Sequence, residues 1–168
     1  MGEEVPPNIT IEIELGQKQE DGHKATKGIL RIFRTSQYDT KHGNKGKEVL
    51  EVPVVSGGED LEGIYKKAKK GIFKNRKATT ASKGTGSKEL KDKAHGGGDN
   101  IIIRLYDDIL IHQGNNEVTQ EGAYTKGCIA ITAYELNKDM DGNTDIDRNY
   151  EEFSKIVKQA GGIDVIIK

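Results

Sequence analysis

The sequence predicts a single, mainly β domain with a few helices. Three observations lead there. The 168 residues give room for one domain and little for two. Of the 38 Leu, Ile, Val and Phe residues, 19 are Ile, so the core is β-branched and suited to strands. Short apolar runs also recur along the chain, separated by turn residues.

The elements follow in order. Ile9, Ile11, Ile13 and Leu15 alternate with Thr10, Glu12 and Glu14, the period-2 pattern of a half-buried strand. A turn at Asp21-Gly22 precedes a second strand over Ile29 to Phe33, and a polar turn over 42–46 precedes a third over Glu48 to Val55. Pro53 lacks a ladder donor, which predicts an edge position or a bulge there. Leu61 to Lys70 reads as a short basic helix. Ile101 to Leu105, Ile109 to Ile111 and Gly127 to Ile131 read as strands, the first two joined at Asp107-Asp108. Thr132 to Glu135 has a capping-box pattern and predicts a helix start. A further helix is expected from Arg148 to Ala160, with Asp147 as N-cap, Phe153, Ile156, Val157 and Ala160 on one face, and Gly161-Gly162 as its stop. Ile163 to Ile167 closes the chain as a strand.

Residues 74–100 offer almost nothing to bury, and a loop this long is usually functional or disordered. It is expected to be a long basic loop, either solvated or closing over a cleft as a lid. Charge is uneven along the chain. Residues 66–93 carry ten Lys and one Arg against Glu89 and Asp92, a local +9, whereas 135–152 carry seven carboxylates against Lys138 and Arg148, a local −5. The total, 26 basic against 27 acidic residues, argues against a generic nucleic-acid binder. No stretch approaches the ~18 to 20 apolar residues of a membrane span. The start lacks the basic and apolar regions of a signal peptide.

One cysteine excludes an intramolecular disulfide and a Cys-rich metal site. Asn137, Asp139, Asp141, Gly142 and Asn143 echo half of an EF-hand loop. The twelfth position is Arg148, where a bidentate Glu is needed, so residues 137–147 read as a solvated acidic loop. No metal or other cofactor is expected. The chemistry-bearing pair is Cys128, which begins an apolar run, and His112, which follows one. An imidazole beside a thiol converts it into a nucleophile, and Gly127 before it lets amide N–H groups cradle an oxyanion. The competing structural reading is a free cysteine acting as a small buried hydrophobe.

The stretches His112-Gln113-Gly114-Asn115-Asn116 and Thr125-Lys126-Gly127-Cys128-Ile129 resemble the signature of the L,D-transpeptidase (YkuD-type) family. Val52 to Gly58 is similar to that family's early strand ending in a Val-Ser-x-Gly turn. The specific match spans about 20 residues, with weaker agreement over roughly 48–168. The resemblance implies an L,D-transpeptidase-like β-sandwich or barrel that acts on peptidoglycan stem peptides, as a transferase or a hydrolase. It makes Cys128 the nucleophile and His112 the general base, with the Gln113 backbone carbonyl orienting the imidazole. Lys126, Gly127 and Cys128 become the oxyanion hole, and Gly114, Asn115, Tyr124 and Thr125 the substrate contacts. Two positions depart from the signature: Gln113 stands where Gly or Ser is common, and Ala130 where Arg or Asn is usual. The Ala130 departure leaves the usual substrate-carboxylate partner missing. The His-x-Gly-Asn…Gly-Cys-Ile-Ala form also resembles less characterised phage- and secretion-associated relatives, in which the chemistry is an inference. The rival reading is a catalytically silent binding module of a phage or secretion apparatus that keeps the Gly-Cys-Ile turn as architecture. With no signal peptide at its start, the chain is expected to reach periplasm or cell wall as a contact-delivered antibacterial toxin. A type VI secretion effector with an immunity protein as partner fits that expectation.

Overall fold

A computed structural model describes residues 8–16, 25–35, 46–57, 68–84, 100–107, 109–114, 128–133, 140 and 144–168. The strands are β1 (Asn8–Leu15), β2 (Ala25–Thr35), β3 (Lys47–Gly57), β4 (Gly71–Arg76), β5 (Ala78–Thr80), β6 (Ile101–Tyr106), β7 (Ile109–Gln113), β8 (Ile129–Ile131) and β9 (Gly162–Ile167). The helices are α1 (Ala81–Gly84) and α2 (Asp145–Lys158). The nine described strands form one mixed sheet in the order β4-β9-β1-β2-β3-β8-β7-β6-β5, which nearly closes into a barrel. The mainly β single-domain architecture is therefore as the composition predicts.

Closure follows from connectivity. β4 and β5 lie at opposite ends of the strand order, yet only Lys77 separates them in sequence. Asn75, at φ 55°, makes the left-handed turn that a short polar side chain tolerates, and its N–H donates to Asp164 Oδ1 at 3.0 Å. Across the seam the Phe73 and Tyr106 rings stack with centroids 5.3 Å apart, and the Tyr106 hydroxyl accepts the Lys69 N–H at 2.8 Å. Residues 71–80 are thus largely strand, against the expectation of a loop beginning at 74. Their apolar content is low because both strands are edges.

One face of the sheet holds the main core. Ile9, Ile11 and Ile13 of β1 pair in parallel with Ile163, Val165 and Ile167 of β9, and α2 adds Tyr150, Phe153 and Val157 to the same cluster. The other face carries Thr10, Glu12 and Glu14 on β1, and on β2 it sets Arg31 between half-buried Ile29 and Phe33. There Arg31 pairs with Glu51 at 2.9 Å, Glu14 at 3.3 Å and Glu48 at 3.4 Å. β6, β7 and β8 differ, because Ile101-Ile102-Ile103, Ile109-Leu110-Ile111 and Ile129-Ala130-Ile131 run apolar without alternation. Strands covered on both faces read this way. Ala81 of α1 packs with Ile102 and Leu110 on that second face.

Two expectations need correction. β3 is not an edge strand: it lies between β2 and β8, and its register shift falls opposite Ile32 and Phe33, away from Pro53. Proline is tolerated because β8 ends at Ile131. The Pro53 carbonyl still accepts the Thr132 N–H at 3.0 Å. The Thr132 carbonyl, which would face the missing Pro53 donor, accepts Asn149 Nδ2 from α2 at 2.9 Å. Second, the N-cap of α2 is Thr144, and Asp147 is the N3 partner of a capping box. The helix therefore starts three residues before Arg148. Its predicted apolar face holds, with Phe153 and Val157 buried and Ile156 and Ala160 packed against the core. Ala68 to Lys70 are not helical, and neither are Thr132 and Ala133. The rest of those two predicted helices lies outside the described residues.

Asn149→Ala should cost about 1 kcal/mol by leaving the Thr132 carbonyl without its donor. In a Pro53→Val background, whose N–H can serve that carbonyl, the same substitution should cost less. Urea unfolding of the four proteins gives the coupling.

Candidate functional site

β7 and β8 are parallel neighbours, with His112 paired to Ala130 and Ile111 to Ile129. Ile111 and Ile129 face the core, so His112 and Ala130 face the other side. Cys128 lies two residues before Ala130, one pleat repeat or roughly 6.6 Å along the strand. It packs against the cluster of Ala81, Ile102 and Leu110 and is half-buried. His112 is 6% exposed. His112 on β7 and Cys128, immediately before β8, thus lie on one covered face.

His112 Nδ1 lies 2.7 Å from the Gln113 carbonyl oxygen. A carbonyl only accepts, so Nδ1 carries the proton and Nε2 is the basic nitrogen. The peptide after that carbonyl is fixed as well: Gly114 N–H donates to Ile131 O at 2.8 Å. A Cβ on Gly114 would stand 2.5 Å from the same oxygen, so the close approach requires glycine. The Gly114 amide, expected among the substrate contacts, is committed to the sheet.

The Gln113 side chain, 4% exposed, points the other way. Its Nε2 donates to Asp147 Oδ1 at 2.7 Å, and its Oε1 accepts Asn100 Nδ2 at 2.7 Å. Asp147 Oδ2 accepts the Thr144 N–H at 2.8 Å. The Tyr150 hydroxyl bonds both the N–H and the carbonyl of Ile101, the latter at 3.1 Å. Asn100 and Tyr150 are supporting residues that sequence reading missed, and Asp147 was expected only as an N-cap. Ser56, from the Val-Ser-x-Gly stretch, is fully buried and accepts the Ala68 N–H at 2.9 Å, which is an anchoring contact.

Asn115, Tyr124, Thr125, Lys126 and Gly127 lie outside the described residues, as do residues 137–139 and 141–143 of the acidic loop. Among the described residues, no group of three or more His, Cys, Asp or Glu side chains is placed to hold a metal. No helix among them is long and apolar enough to cross a membrane. No family model, curated protein or solved structure matches the chain.

Burial raises the Tyr150 pKa, and hydrogen bonds to Ile101 and Ser154 pull it back part of the way. The unfolded phenol ionises near ~10, before the folded one. Its contribution is therefore full below ~10 and declines as pH rises through the folded value. Tyr150→Phe should lower stability by about 1–3 kcal/mol at neutral pH. It should also flatten the loss of stability above pH ~10, measured by denaturant unfolding across pH.

Proposed function

We propose that this protein is a cysteine acyltransferase of the L,D-transpeptidase type, acting on peptidoglycan stem peptides. The observation that supports the reading most is the His112 Nδ1 bond to the Gln113 carbonyl, on the strand beside Cys128. It leaves Nε2 as the base. In the proposed reaction Nε2 takes the Cys128 thiol proton, and the thiolate attacks the carbonyl carbon of the diamino acid. The carbon–nitrogen bond breaks, and the proton passes from His112 to the departing D-Ala amine. An amine or water then attacks the thioester and restores the thiol. Gly127 and Cys128 amides, with Lys126, would stabilise the oxyanion. Such a substrate lies in the periplasm or cell wall. Delivery by a secretion apparatus, with an immunity protein as partner, belongs to the same proposal.

With Ala130 at the usual basic position, the substrate carboxylate needs another cation. Arg104 is exposed, is paired with Leu110 and shares the outer face, two strand spacings or roughly 10 Å from the β8 position of Cys128. The packing of Cys128 against Ala81, Ile102 and Leu110 favours a second reading, a silent module in which the thiol is only a hydrophobe.

The two readings separate on reactivity. Cys128 alkylation should show an inflection below ~8.5, and His112→Ala should return it toward ~8.5. Muropeptide conversion, followed by mass spectrometry, should vanish in Cys128→Ala at a stability cost of about 1 kcal/mol or less. Unperturbed alkylation with no conversion would favour the silent module. Arg104→Gln should raise KM more than it lowers kcat.

A further inference from the structure

We infer that Tyr150 and Asp147, both on α2, are positioning residues that free the Gln113 carbonyl from the sheet and hold it against His112. This deepens the acyltransferase reading and rests on it for its functional meaning.

The ladder between β6 and β7 ends at Ile103 opposite Ile111. Two residues further, the same register would set Ile101 opposite Gln113. The Ala81 N–H donates to the Asn100 carbonyl at 2.8 Å, so Asn100 directs its backbone groups toward β5. By alternation, those of Ile101 are directed toward β7. They do not reach Gln113, because the Tyr150 hydroxyl bonds both of them. The Gln113 carbonyl takes the His112 ring instead. A single phenol therefore substitutes for the last rung of the ladder.

Asp147 completes the device from one helical turn away. Its Oδ1 holds the Gln113 side chain, which Asn100 holds from the other side. With Gly114 N–H bonded to Ile131, the 113–114 peptide is fixed at three points. The helix N-terminus thereby sets the tautomer and direction of the imidazole without touching it.

The test reads the His112 ring by 15N NMR in full-length protein, with and without Cys128→Ala, in Tyr150→Phe and Gln113→Met. Both variants keep the 113 carbonyl, and circular dichroism verifies their fold. The expected result is loss of the protected Nδ1–H signal in each, with at least a several-fold fall in Cys128 alkylation rate at pH 7. A wild-type ring spectrum in both folded variants would overturn the inference. Should Tyr150→Phe fail to fold, Gln113→Met decides by the same criterion. The ring spectrum needs no substrate, so absence of muropeptide conversion in the wild type would count against the acyltransferase reading alone.

Discussion

The joining of the two sheet ends through Lys77 is the constraint on which the rest of the structure depends. A nine-stranded sheet with edges one residue apart in sequence must curl until β4 and β5 meet the same seam. Curling turns the isoleucines of β1, β6, β7 and β9 into one interior cluster and leaves α2 to cover it. Burial of that cluster supplies the main driving force, at roughly 25 cal/mol per Å² of apolar surface. The Phe73–Tyr106 stack adds a specific contact at the seam.

Closure also explains where polar chemistry sits. Polar groups buried beside a close-packed interior need partners, and Gln113, Asp147, Thr144 and Tyr150 form bonded chains at the end of β7. His112 and Cys128 face the opposite side, where α1 and doubly buried strands give cover. The imidazole is thus fixed through its backbone by the core while its ring lies buried on the covered second face. A rigid scaffold on one side and a half-buried thiol on the other suits acyl transfer.

Much of this was legible in the sequence. Alternation exposed β1, and isoleucine runs exposed β6, β7 and β8. The His112 and Cys128 motifs stood out because His112 follows such a run and Cys128 begins one. Residues 71–80 were not legible: Ile72 and Phe73 are their only large apolar residues, and Ile72 is exposed on an edge. Thr144 and Asp147 are both good N-caps, so sequence alone could not say which one begins α2. The link from Asp147 to Gln113 spans 34 residues and has no periodic signature. Pro53 misled for a related reason, since the donor that compensates for it, Asn149, comes from a distant helix.

The most direct measurement is the intact mass of the protein after brief exposure to a stem tetrapeptide ending in D-Ala. Acyl transfer through Cys128 predicts an adduct equal to the peptide less D-Ala, mapped to Cys128 by digestion and absent from His112→Ala. A protein that stays unmodified under turnover conditions, with its thiol alkylating as an ordinary cysteine does, would contradict it.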